Sequence, residues 1–441
     1  MKKIVSAMAL ATLVLGGASA ELKLGMNYRN GINIYSGAYE GDGKAASKYY
    51  LDQLGYNSGK DSLTLTASGD IFGFKTIVQP TVNSNTLVAN MVDVSAKLPV
   101  PGVDIVTIDA HGGWWADGVS NGNIRITTDA SNFEGLDWEG NKPGSIFKAR
   151  PNTFISNMVD FGLGVPYIAG YAKVGVALDS MALNITPVVM SDRANNLVGT
   201  SEGNDGAYSW AVDVNAKLPG LVELEAIVKG NPKWNKLKND DGEYCGALGA
   251  GFYAMPLMVD GLKLAVGGSL GTINGDLSDL AFDLRANYKV NDALSLTTYH
   301  NFSVVKNTNG KEAGEDEQAQ FGRYYWGTSN QNVKGAAEKG NSGIWNMVGV
   351  AYKLNPTITL RGSIEHQRML DRNVADGATT GDEKYGSELR FTPAAEITAV
   401  KGASVLAGVT CAMRGIGSDD ECYGEAVDWY WSIPVLFRVK M

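Results

Sequence analysis

The chain has 441 residues, of which 54 are glycine and 19% are charged, with a formal net charge of −9. Acidity on this scale offers no electrostatic footprint for nucleic acid. No apolar run after residue 20 approaches the length of a spanning helix, so any passage through a bilayer must use a closed set of strands, because lipid satisfies no open backbone group.

The first element is an export signal. Lys2 and Lys3 precede an apolar stretch from Ile4 to Leu15, and Ala18-Ser19-Ala20 has the small-residue pattern of a cleavage site. Residues 1–20 are expected to leave, taking two lysines and no acid, so that a single domain of 21–441 remains with its net charge moved from −9 to −11. The position after the cut is Glu21, which excludes a lipoprotein signal.

From Glu21 onward the period is two. Leu22, Leu24, Met26 and Tyr28 share one face of a first strand. The octet Val92-Asp93-Val94-Ser95-Ala96-Lys97-Leu98-Pro99 recurs as Val212-Asp213-Val214-Asn215-Ala216-Lys217-Leu218-Pro219, a strand-plus-turn solution used twice in the same orientation. Phe282, Leu284, Ala286, Tyr288 and Val290 oppose Asp283, Arg285, Asn287 and Lys289, and Ile358, Leu360, Gly362 and Ile364 oppose Thr359, Arg361, Ser363 and Glu365.

Connections sort into two kinds. Short turns are expected at Lys97-Leu98-Pro99, Lys217-Leu218-Pro219-Gly220, Lys289-Val290-Asn291-Asp292 and Lys353-Leu354-Asn355-Pro356, where Pro, Gly and Asn suit a tight reversal. Between them lie longer polar stretches at 191–206, 231–243, 272–278, 306–342, 370–382 and 414–426. A sandwich has no reason to sort its connections in this way, since both ends meet the same water. An all-β, antiparallel, up-and-down transmembrane barrel does, with short periplasmic turns and longer outer loops. The count comes to about 18 strands, with 16 to 20 compatible, and an even number brings both termini to the turn side. The region 113–160 is the least regular; Ile124 and Ile126 fit a small hairpin inside a long loop.

The last element is the clearest strand. Trp429, Trp431, Ile433, Val435, Phe437, Val439 and Met441 occupy every second position and form a face suited to lipid. Three cysteines remain: Cys411 and Cys422 either form a disulfide, worth roughly 3 kcal/mol on loop entropy, or Cys411 is a small apolar strand residue; Cys245 is then a free thiol.

Chemistry is sparse. His111, His300 and His366 make no catalytic triad spacing. His111, expected at a strand end before Gly112-Gly113, has Asp109 as its nearest acid in sequence, and reads as a rim histidine. Asn239-Asp240-Asp241-Gly242-Glu243 and Ser418-Asp419-Asp420-Glu421 offer oxygen ligands but not the twelve-residue pattern of a calcium loop, so no cofactor or metal is expected. Trp210, Trp345, Trp429 and Trp431 suit interfacial girdles, whereas Trp114, Trp115, Trp138, Trp234 and Trp326 are expected in loops, where stacking on a sugar is the alternative to packing. The face opposite the lipid carries Asp93, Lys97, Asp213, Lys217, Glu223, Glu225, Asp283, Arg285, Lys289, Arg361 and Glu365. These are the expected pore-lining groups, of mixed sign and mildly acidic, with a long loop (113–160 or 306–342) folding in to narrow the bore.

On its signal, its turns such as Tyr352-Lys353-Leu354-Asn355-Pro356 and its terminal strand, the sequence resembles bacterial outer-membrane porins, and its Gly- and Asn-rich loops are similar to those of spirochaetal major outer-sheath proteins. The resemblance implies a passive channel for small polar solutes and ions in the outer membrane of a diderm bacterium, not an enzyme. Its partners would be outer-membrane lipid, the barrel-insertion machinery, the transiting solutes and a homo-oligomer. The alternatives are a surface adhesin or coat protein with the barrel as anchor, its loops meeting a host surface ligand, and a soluble periplasmic carbohydrate-binding β-sandwich. One departure is Met441, where porins usually end in an aromatic residue.

Overall fold

The computed structural model describes residues 21–39, 45–53, 62–80, 87–115, 167–191, 208–232, 241–243, 246–305, 318–320, 332–334, 341–372, 387–414 and 429–440. All regular structure among them is strand. The first strand, β1 (Glu21–Tyr39), pairs along its second half with β2 (Ala45–Gln53) and along its first half with β3 (Ser62–Ser68), so β2 and β3 lie end to end. From β3 the chain runs as antiparallel neighbours through β4 (Phe72–Pro80), β5 (Leu87–Pro99), β6 (Val106–Trp115), β7 (Tyr167–Leu178), β8 (Met181–Ser191), β9 (Tyr208–Leu218) and β10 (Val222–Asn231). It continues through β11 (Ala247–Pro256), β12 (Leu262–Ile273), β13 (Asp276–Lys289) and β14 (Leu294–Val305).

A separate hairpin of β15 (Gln318–Gln320) and β16 (Asn332–Lys334) interrupts the series. Then β17 (Asn341–Lys353) pairs with β14 and is followed by β18 (Ile358–Arg372) and β19 (Ser387–Val400). The next stave is broken at Val409 into β20 (Ala403–Gly408) and β21 (Thr410–Arg414), both held between β19 and the last strand, β22 (Trp429–Lys440). β22 pairs with β1 from Asn27↔Lys440 to Tyr39↔Trp429. That seam closes the sheet. Since β2 and β3 share a stave, as do β20 and β21, the 20 segments of the sheet make eighteen staves.

Apart from the reversal between β12 and β13, the short turns and both ends of the described chain fall on one rim. Two turns use the same device: Asn291 Oδ1 accepts from the backbone N–H of Ala293 and Leu294 at 2.8 Å each, and Asn355 Oδ1 accepts from Thr357 (2.9 Å) and Ile358 (2.8 Å). An Asn side chain thus supplies the acceptor that the reversing backbone lacks. Lys289 and Lys353 end strands beside these turns, and Gly220 at φ 72° completes the turn after Leu218.

Several boundaries differ from expectation. Lys97-Leu98-Pro99 belongs to β5, and the reversal comes later, over 100–105, with Gly102 at φ 76°; Pro is tolerated at the end of a ladder, where its missing N–H costs little. The stretch 272–278 is not a long loop. β12 and β13 run straight into a two-residue turn, Asn274 (φ 53°) and Gly275 (φ 89°), the left-handed pair of a type I′ hairpin. β6 runs past His111 to Trp115, so Trp114 and Trp115 lie in a strand. Residues 341–342 belong to β17. The remainder of 113–160, with Ile124, Ile126 and Trp138, lies outside the described residues, as do Trp234, Trp326, Cys245, Cys422, Met441 and the signal segment.

Candidate functional site: the charged inner wall

Burial is inverted relative to a water-soluble domain. Phe282 is 49% exposed and Val348 57%, whereas Glu365 and Arg390 are 2% and 4%. Alternation produces this directly, because the register brings like faces of adjacent strands together. Phe282 lies opposite Gly268 and Phe302, and Val348 opposite Thr298 and Ile364, all on the outer face. Roughly ten residues of a strand tilted by ~40° raise this apolar band to about 25 Å, the thickness of a bilayer's hydrocarbon.

Aromatic side chains edge the band. Tyr28, Tyr288 and Tyr352 stand exposed near the turn rim. At the other end Tyr39 stacks on Trp429 (4.1 Å, 9°), Tyr35 packs on Trp431 at 4.3 Å and on Tyr50 at 5.2 Å, and the Tyr35 and Tyr39 hydroxyls hydrogen-bond. Trp210 lies flat over Gly230, where a Cβ would approach the indole to 2.4 Å. The strand bearing Trp345 is described but its side chain is not. In β22, Trp431, Ile433, Val435, Phe437 and Val439 alternate with buried Ser432, Pro434 and Leu436.

The inner wall is polar, and its charges sit in pairs across neighbouring strands. On β5, β6 and β7 the rows Ser95↔His111↔Tyr171 and Lys97↔Asp109↔Lys173 lie side by side. His111 Nδ1 is 3.1 Å from both Asp93 carboxylate oxygens, and its ring stacks on Tyr171 at 4.3 Å and 8°. The partner of His111 is therefore Asp93 on the next strand, not Asp109 on its own, and the histidine belongs to the wall and not to a rim. Gly113 lies so close to β5 that a Cβ would fall 1.9 Å from the Val92 carbonyl oxygen.

On β9 and β10, Lys217 Nζ is 3.5 Å from Glu223 Oε2, and Asn215 Nδ2 donates to Glu223 Oε1 at 3.0 Å. Asp213 and Glu225 share this face, opposite Ile227 and Asn215. On β13 the Arg285 guanidinium sits 5.1 Å from the Tyr299 ring centre, within cation–π reach. Lys289, at the rim, reaches Asp292 in the adjoining turn at 2.7 Å. Asp283 is in register with Asn301, and its side chain is outside the described residues. On β18 and β19, Arg361 donates through Nε (2.8 Å) and Nη2 (2.5 Å) to Glu396 Oε2, and Arg390 Nη1 donates to Glu365 Oε2 at 3.4 Å.

Both signs occur all the way round, with Glu365 and Glu396 beside the arginines of β18 and β19. Asp93, Asp109, Asp213, Glu223 and Glu225 stand on β5 to β10 with lysines between them, while Arg285, Arg361, Arg390 and Arg438 stand on β13 to β22. Cys411 is a free, exposed thiol on the outer face, in register with Phe391 and Trp431. Among the described residues no group of three or more His, Cys, Asp or Glu could hold a metal ion.

A closed antiparallel up-and-down sheet, apolar outside and charged within, is a transmembrane β-barrel. No family model matches the chain, and no curated protein matches it. Among solved structures it is similar to OpdQ of Pseudomonas aeruginosa, with 10% identity over 95% of this chain and 98% of that one and a TM-score of 0.44. It is similar to OmpT, an outer membrane protein of Vibrio cholerae (10%, 96% and 98%, TM-score 0.43). It is also similar to OccK2 (OpdF) of P. aeruginosa in complex with glucuronate (11%, 96% and 98%, TM-score 0.46). At such values the fold rests on the closed register itself. The narrower resemblance to spirochaetal outer-sheath proteins finds no support in these comparisons.

Proposed function

We propose that the protein is an outer-membrane channel through which small polar solutes and ions diffuse passively. The observation that carries this reading is the partition between the two faces of one closed sheet. Eighteen staves enclose a lumen wider than side chains alone fill, and Asp93, Lys97, Asp213, Lys217, Glu223, Glu225, Asp283, Arg285, Lys289, Arg361 and Glu365 would line it. Because opposite charges meet as Lys217–Glu223, Arg361–Glu396 and Arg390–Glu365, much of the field along the bore cancels, and selectivity by charge is weak.

The chain reaches this place by export with loss of residues 1–20, followed by assembly by the barrel-insertion machinery. Segments 116–160 and 306–340 would supply any inward constriction. Purified protein added to a planar bilayer should give stepwise ohmic conductance, with cation and anion permeabilities within about tenfold of each other. Folded protein that inserts yet gives no steps overturns the channel reading and leaves a barrel serving as an anchor. N-terminal sequencing of the mature protein should begin at Glu21.

A further inference from the structure

Among the described residues, a polar row lies on the outer face inside the apolar band, one row in from Phe302, Ile344, Arg368 and Ser387. Leu284, His300, Asn346, His366 and Leu389 lie opposite one another on β13, β14, β17, β18 and β19. Two of the chain's three histidines thus flank an asparagine on the wall turned toward lipid, near the middle of their strands. His300 is exposed, and its Nδ1 donates to Asn346 Oδ1 at 2.7 Å. Its Nε2 lies 2.9 Å from the Thr298 hydroxyl, which itself donates to the Met347 carbonyl at 3.0 Å. Along β14 and β17 the row is bounded on one side by Leu296 and Val348 and on the other by Phe302 and Ile344.

Acyl chains offer such groups neither donor nor acceptor, and headgroups lie beyond the flanking apolar residues, so exposure of this row to lipid is costly. Neutral imidazole and carboxamide each donate and accept, which makes the row complementary to itself. Two copies in one membrane share the same up–down orientation, so a two-fold axis relating them runs along the bilayer normal. With Asn346 near that axis, His300 of one copy faces His366 of the second, and His366 faces His300, as an isologous contact requires.

We propose that the outer face of β14, β17 and β18 is the contact surface between two copies of this chain, with the His300–Asn346–His366 row as its polar centre. The proposal rests on the membrane reading above. It is tested on the full mature chain with Cys245, Cys411 and Cys422 replaced by serine. Asn346→Cys should form a disulfide-linked dimer on mild oxidation in native membranes, while Val94→Cys, exposed and outward on β5 across the barrel, should not. In detergent, the double variant His300→Leu/His366→Leu should dissociate as a dimer about tenfold more readily, with its heat-modifiable barrel mobility intact. Equal cross-linking at both positions, no cross-link at Asn346→Cys, or a double variant that associates like the parent overturns the proposal. A parent chain that stays monodisperse without detergent removes the membrane reading instead, a result read before any cross-linking.

Discussion

The buried pair Glu365–Arg390 shows why the inner wall is sensitive to single residues. With exposures of 2% and 4%, both groups are largely removed from water, and each depends on protein partners for its solvation. Glu365→Gln deprives Arg390 of its carboxylate and should destabilise the barrel by about 3 kcal/mol, whereas Glu365→Met combined with Arg390→Met should cost clearly less. Urea titration of heat-modifiable mobility in micelles reads both. Asp292 is the opposite case. In the exposed turn after β13, hydrogen bonding and charge from Lys289 hold its carboxyl below the usual range. A lowered folded value means its stabilisation is present above the ordinary carboxylate pKa and is lost as pH falls through the lowered one. Acid melting of the parent should therefore show a stability loss that Asp292→Asn lacks. At this scale the sequence displayed the charges and their face but not their partners. His111 has Asp109 two residues away, yet meets Asp93 eighteen residues back, because cross-strand register decides which carboxylate is near.

Strand identity was legible in the period of two, since lipid outside and polar groups inside impose it on every stave. Strand ends were not, because a polar residue reads the same at a strand end as in a loop. Asp276 and Ser278 made 272–278 look like a loop, and only the Asn274-Gly275 dipeptide marked the real reversal. Both of these residues have positive φ, which an L residue with a branched Cβ resists. Gly275→Val should cost about 1–2 kcal/mol and slow refolding into micelles, while the same change at Gly362, which has ordinary backbone, should not do so through backbone strain. The outer face can be tested in the same way. Val348→Arg places a cation near mid-membrane and should cost about 2–4 kcal/mol in lipid, with little effect at a rim position such as Leu354, measured by folding into vesicles across a denaturant series.

Closure belongs to the whole molecule, and it hangs on the last strand. β22 supplies one neighbour to β1 and another to β20 and β21, so its final residues complete the seam at the turn rim: Phe437 to Lys440 pair with Asn30 to Asn27, and Phe437 to Val439 pair with Val405 to Ala403. An open seam there would leave two rows of N–H and C=O groups facing hydrocarbon, each unsatisfied group costing several kcal/mol. Removal of residues 437–441 should therefore abolish the heat-modifiable barrel both in cells and in purified protein refolded into micelles. Phe437→Ser keeps every backbone pair and should refold in micelles even if its assembly in cells suffers. That contrast separates closure from recognition by the insertion machinery. A truncated chain that refolds in micelles but fails in cells would assign the terminal segment to recognition, and the seam would then have to close without it.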